Sequence, residues 1–210
     1  MSDINTAVVD SLKALDPKRP IREADITVAS ANVRFLGKAD ILKAETNGQF
    51  MSTRPGMPLH FAYGSNMSRA LMRQHCPQAR ALGTAVLTHH RFIVMADGYA
   101  SIVRRPGHNV HGVLWQLTTR DLDGLNVYER VDTGLYRVRF YPVRHAGGIA
   151  PALVYVARSH RPGRPRPGYL ACVLAAARDW DLPRAYTDGL ARWASPGFAQ
   201  QRKPEATENR

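Results

Sequence analysis

The chain has 210 residues, 44% of them hydrophobic and 22% charged, with a formal net charge of +12. That is enough apolar material to pack one domain and too much for wholesale disorder. No apolar run approaches the ~20 residues that span a bilayer, and the two cysteines, Cys76 and Cys172, make no disulfide framework. Met1 to Asp16 carries Asp3 and Asp10, lacks an apolar h-region and does not read as a signal peptide. A cytoplasmic protein with no membrane partner is the expectation. Residues 58–197 hold 18 basic and 8 acidic residues, nearly all the charge excess. Only 5 of the 29 basic residues are Lys, so an Arg-rich coding bias explains the excess better than a nucleic-acid partner does.

Residues 1–57 differ in texture from the rest, with Phe35 and Phe50 their only aromatics. They read as an N-terminal extension of unassigned role, with a short helix over Thr6–Leu15 and a strand over Ile26–Leu36. Leu59–Tyr63 then reads as a strand ended by Gly64-Ser65-Asn66. Ser68–His75 is a short helix with Ser68 as its N-cap. Ala81–Thr88 and His90–Met95 read as strands. Ala100–Val103 and Val110–Leu117 read as a strand pair around a turn at Arg105–His108. Thr118–Tyr128 is an amphipathic helix capped by Thr118 or Thr119. Tyr136–Val143 and Ala152–Ala157 alternate as strands. Tyr169–Trp180 is a helix opened by Pro167 and closed before Pro183, and Tyr186–Trp193 is one more. Residues 198–210 form a polar tail. Strands with interspersed helices and no regular βαβ repeat give an α+β class.

Three features carry chemistry. A strand ending in Gly64-Ser65-Asn66 before a helix presents several backbone N–H groups in one tight turn, and such a nest holds a carboxylate or an oxyanion. The same residue types make ordinary turns, so this turn alone decides nothing. Glu129 is the one glutamate between Glu45 and Glu205 and sits where a helix gives way to a loop. Partly desolvated, such a carboxyl suits general acid/base work; a surface Glu paired with an arginine is the commoner outcome. The loop Ser159–Gly168, rich in Pro, Arg and Gly, is a candidate cover for a pocket. His108 and His111 lack nearby cysteines and the geometry of a zinc pair, and no metal is expected.

Taken together, these elements resemble the γ-glutamylcyclotransferase-like family. Tyr63-Gly64-Ser65-Asn66 looks like its YGSN substrate loop. Ala100-Ser101-Ile102-Val103, Pro106-Gly107 and Val110-His111-Gly112-Val113-Leu114-Trp115 look like its hairpin. Leu122-Asp123 with Glu129 to Tyr136 looks like its catalytic helix end, and Pro167-Gly168-Tyr169-Leu170 with Leu182-Pro183 and Tyr186 looks like its C-terminal helix and turn. The resemblance covers Leu59 to Ala194, within a domain drawn at 58–197. It implies a small mixed β-barrel with flanking helices. It implies a γ-glutamylcyclotransferase-type lyase or acyltransferase of glutathione-related metabolism, which cyclises a γ-glutamyl amide to 5-oxoproline without a cofactor. Glu129 falls at the position of the catalytic glutamate. Phe61, Ala62, Tyr63, Gly64, Ser65, Asn66 and Met67 fall on the substrate loop, and Tyr136, Tyr155 and Tyr169 match tyrosines near the pocket. Two residues depart from the pattern. Arg130 stands where Gly commonly follows the glutamate, and Met67 where Leu is common.

The implied partner is a small γ-glutamyl molecule; a homodimer is compatible with the sequence. A different class stays open: a non-catalytic small-molecule module, or a basic RNA-binding module, on the same fold. An intact Glu129 beside an intact turn favours catalysis, and no aromatics interleave the basic residues as RNA readers require.

Overall fold

A computed structural model of the chain describes residues 57–195. The expected helix over Thr6–Leu15, the strand over Ile26–Leu36 and the polar tail lie outside the described residues. The described segment contains strands β1 (Leu59–Ala62), β2 (Arg80–Val94), β3 (Ala100–Gln116), β4 (Tyr136–His145) and β5 (Gly148–Ala157). Helices α1 (Arg69–His75), α2 (Thr119–Tyr128), α3 (Tyr169–Asp179) and α4 (Arg184–Ala191) flank them. The strands close a barrel in the order β1-β3-β2-β4-β5. β1 meets β5 in parallel through His60 and Leu153, and the other neighbours are antiparallel. The fold is therefore α+β, a mixed five-stranded barrel with four flanking helices, closed through short contacts of β1 with β5 and of β2 with β4.

Two strand readings change. β3 is continuous from Ala100 to Gln116, and its true hairpin partner is β2, joined through residues 95–99. Residues 105–108 do not turn the chain back. Register runs from Thr88 against Asn109 to His90 against Arg104, so Arg105–His108 bulge out opposite the single residue His89. Pro106 has no N–H to donate to a ladder, and Gly107 sits at φ +76°, so the segment suits a bulge as well as a turn. His89 takes φ +58° where the two strands kink together. β2 is correspondingly one long strand instead of two.

The helix ends follow local chemistry. The Ser68 hydroxyl accepts from Leu71 N–H at 3.4 Å and starts α1. At α2, Thr118 Oγ1 accepts from Asp121 N–H at 3.1 Å while Asp121 Oδ2 accepts from Thr118 N–H at 3.0 Å, a reciprocal capping box. Asp121 is buried, and its other oxygen accepts from Gln78 N–H at 3.2 Å, which ties α2 to the segment after α1. At the far end, Val131 N–H reaches Asn126 carbonyl and Arg130 N–H reaches Val127 carbonyl, both at 3.1 Å. That pair of bonds is a Schellman closure with Arg130 in the left-handed position, φ +53°. It holds Glu129 as the last residue of the helix end, facing the barrel.

No described helix is long and apolar enough to cross a membrane. The core runs from the barrel interior, with Phe61, Ile102, Leu114 and Leu153 essentially inaccessible, to the inner faces of α2 and α3, where Leu125 and Val173 are equally enclosed.

Candidate active site

A cavity of about 430 Å³ opens between the end of β1, the helix end at Glu129 and the start of α3. Of the eleven residues expected at a site, ten line it: Phe61, Ala62, Tyr63, Gly64, Ser65 and Asn66 from the first segment, then Glu129, Tyr136, Tyr155 and Tyr169. Met67 does not line it. Its side chain is fully buried in the core, and its carbonyl accepts from Trp180 Nε1 at 2.8 Å, so it anchors the turn from behind. The Arg69 guanidinium lies 3.4 Å over the Trp180 ring and braces the same joint.

The turn after β1 is a single 3₁₀ turn, Ser65–Met67. Its first hydrogen bond runs from Met67 N–H to Gly64 carbonyl, so the Ser65 and Asn66 N–H groups precede it and have no acceptor inside the turn. Gly64 is required for a reason that turn statistics do not reveal. A Cβ there would lie 2.9 Å from the Tyr169 hydroxyl and 3.1 Å from Ala100 Cβ. The glycine leaves room for the Tyr169 phenol to pass the turn and reach the backbone of Ala100 at the start of β3.

Glu129 faces this turn across the cavity. Asn66 Nδ2 donates to its Oε1 at 2.5 Å. Burial raises the carboxyl to about 7, and the Asn66 hydrogen bond, which favours the ionised form, offsets part of that rise. Glu129 is the only carboxylate among the lining residues.

The tyrosines form a linked wall. Tyr63 donates to Tyr155 carbonyl at 2.5 Å, Tyr155 to Asn126 Oδ1 at 2.7 Å, and Tyr136 to Ala100 carbonyl at 2.6 Å. The Tyr169 hydroxyl accepts from Ala100 N–H at 3.1 Å, so both backbone groups of Ala100 are held by phenols. Burial first, and then the Glu129 charge, push Tyr63, Tyr128 and Tyr155 up, Tyr128 to about 12. These phenols stay neutral at physiological pH and serve as fixed dipoles.

Several lining residues carry no signal in the sequence. Tyr128 and His75 stack at 4.2 Å between ring centres and frame the mouth with Gln74. Tyr99 packs edge-on to Tyr169 at 5.2 Å. His60 is buried with Nδ1 3.2 Å from Leu153 carbonyl, and burial lowers it to about 4, so it is neutral. Asn126, the acceptor for Tyr155, does not itself line the cavity, and it does have a legible signal: it sits three residues before Glu129, on the same helix face. The others come from strand and helix faces that only the closed barrel brings together.

The loop Ser159–Gly168 does not line the cavity. Gly163 N–H donates to Val94 carbonyl at 2.9 Å, and Arg166 N–H to Gly98 carbonyl at 3.1 Å. Arg166 also lies 4.9 Å over the Tyr99 ring. The loop clamps the β2–β3 connection and meets the site through Tyr99 and through Tyr169, whose N–H donates to Arg166 carbonyl at 3.1 Å.

A mixed barrel whose first strand runs into a Gly-Ser-Asn turn, facing one carboxylate at a helix end, is the arrangement this chain presents, and in sequence and fold the chain is similar to γ-glutamylcyclotransferases. Residues 109–190 match the model of the AIG2-like family. The chain is 27% identical over 143 residues to the gamma-glutamylcyclotransferase of Homo sapiens, covering 63% of this chain and 76% of that one. A solved structure of a gamma-glutamyl cyclotransferase superimposes with a TM-score of 0.60 at 25% identity, over 64% of this chain and 86% of the other. An uncharacterized human protein shares the fold, with a TM-score of 0.62 at 24% identity over 72% of this chain and 94% of its own.

Proposed function

We propose that this chain is a γ-glutamylcyclotransferase: it closes a γ-glutamyl amide to 5-oxoproline and releases the amine, with Glu129 as general acid/base. The observation that carries the reading is the Asn66–Glu129 pair, one carboxyl raised to about 7 and hydrogen-bonded to a turn whose Ser65 and Asn66 N–H groups have no acceptor inside it. The similarity to proteins named gamma-glutamylcyclotransferase supports it.

The substrate carries its own nucleophile, so the protein needs no Ser or Cys. Glu129 as carboxylate takes one proton from the α-ammonium. The freed amine attacks the γ-carbonyl carbon, and a five-membered ring forms with the negative charge on oxygen. The Ser65 and Asn66 N–H groups are the donors nearest to hand for that oxyanion or for the α-carboxylate. Glu129, now protonated, gives its proton to the amide nitrogen, and the C–N bond breaks. The ring nitrogen sheds its second proton to solvent, and the released amine takes one up, so protons balance. Effective molarities of roughly 10⁵–10⁸ M for well-oriented intramolecular attack make positioning the main contribution. A carboxyl near 7 is matched to both transfers at neutral pH. The neutral tyrosine wall adds no competing charge.

The test is 5-oxoproline release from γ-glutamyl amino acids and amines by the wild-type chain and by Glu129→Gln. The reading expects release that falls by about 10²–10⁴ in the variant. A folded wild type inert on every substrate, or a variant as active as the parent, overturns it.

A further inference from the structure

Arg130 is the residue at this site that costs the fold something and has nothing in the fold to show for it. It is a non-glycine residue at φ +53°, in the left-handed region that favours glycine. The backbone enforces it. Arg130 N–H donates to Val127 carbonyl at 3.1 Å, while its own carbonyl accepts from Leu135 N–H and Thr133 Oγ1, each at 3.2 Å. The side chain is exposed at the cavity mouth, and its guanidinium has no hydrogen-bond or ion-pair partner among the described residues. It is the only lining residue other than Glu129 with a formal charge at neutral pH, once buried His60 and half-buried His75, both lowered by desolvation, are counted as neutral.

We propose that Arg130 selects the leaving group: it binds the carboxylate of a γ-glutamyl amino acid and disfavours γ-glutamyl amines, above all those with a second ammonium. This rests on the cyclotransferase reading. Burial sets the direction of the substrate. Ser65 and Asn66 are 8% and 5% exposed, so the turn takes the inner end of a ligand, the γ-glutamyl end. The scissile nitrogen must meet Glu129, and the departing group attached to that nitrogen points out through the mouth. In an amino-acid amide the carboxylate is two bonds from that nitrogen. Arg130, next in the chain after Glu129 and on the open side, is placed to meet it. A guanidinium fork suits a carboxylate and repels an ammonium.

The experiment compares kcat/KM for γ-glutamyl-alanine, for γ-glutamyl-ethylamine, which is the same molecule without the carboxylate, and for γ-glutamyl-1,4-diaminobutane. Wild type, Arg130→Gly and Arg130→Lys are each tested. Glycine suits the left-handed position, so the variant keeps its fold. Wild type is expected to favour the alanine amide over the ethylamine amide by about tenfold or more, with the diamine amide worst. In Arg130→Gly that preference shrinks at least fivefold, mainly through KM, and the diamine amide gains on the ethylamine amide. Arg130→Lys keeps part of the preference. An unchanged ratio in Arg130→Gly overturns the proposal, including the case where all three substrates weaken together, which would put the guanidinium on the γ-glutamyl end. No turnover of any substrate by wild type removes the cyclotransferase reading and this one with it.

Discussion

Asn66 Nδ2 and Glu129 Oε1 meet at 2.5 Å across 63 residues of chain, joining the turn after β1 to the end of α2. The amide favours the ionised carboxylate, while the cavity wall disfavours it. The balance of the two sets the working pH of the proposed base.

The acid limb of kcat/KM is therefore expected near pH 7, because Glu129 must be ionised to accept the first proton. Asn66→Ala removes the one hydrogen bond that lowers the carboxyl, so the limb moves to higher pH. A pH–rate profile reads this directly. A shift of the limb to lower pH would contradict the assigned role of Asn66.

The same raised carboxyl has a stability consequence. Its folded-state value lies above the ordinary value of 4.5, so between 4.5 and about 7 the folded state binds more protons than the unfolded one. The stability this provides is present below 4.5 and is lost as pH rises through 7. Glu129→Gln abolishes that dependence. The Tm of wild type, measured against the variant, is expected to fall between pH 5 and pH 8, and a difference that stays flat across the window would count against a buried, raised carboxyl.

Gly64→Ala places a methyl 2.9 Å from the Tyr169 hydroxyl and 3.1 Å from Ala100 Cβ. Overpacking of this kind costs about 1–3 kcal/mol. The double variant with Tyr169→Phe removes the oxygen in the way and should recover part of the loss in chemical denaturation. Two losses that simply add would place the strain elsewhere.

Asp121→Ala removes three acceptor contacts at once, to Thr118 N–H, Thr118 Oγ1 and Gln78 N–H. The lost cap and the loss of these part-buried hydrogen bonds together cost about 1–2 kcal/mol. Because Asp121 starts the helix that ends at Glu129, activity is expected to fall as well, and urea unfolding with 5-oxoproline assays on the still-folded protein separates the two effects.

Arg130→Gly should raise Tm and Arg130→Ala should leave it in place, since only glycine relieves the left-handed backbone. Equal Tm values for the two variants would show that φ +53° carries no cost here.

Much of this architecture is a local matter, legible in short stretches of chain. The caps Ser68 and Thr118 each lie three residues from the N–H group they satisfy. A strand running into Gly64-Ser65-Asn66 and a lone Glu129 at a helix end are equally visible. Asn126, three residues before Glu129, is legible by the same rule. What depends on the tertiary structure involves partners far apart in sequence. The Arg105–His108 segment has the composition of a turn, and only β2 pairing on both sides of it makes it a bulge. The Ser159–Gly168 loop has the composition of a cover, and its hydrogen bonds to Val94 and Gly98 make it a clamp. Met67 belongs to the turn by sequence and to the core by packing. The cavity itself exists because barrel closure sets β1 against β5 and brings Tyr155 beside Tyr63. Short-range patterns report propensities and caps, whereas a cavity and the raised carboxyl in its wall are produced by burial, and burial belongs to the whole fold.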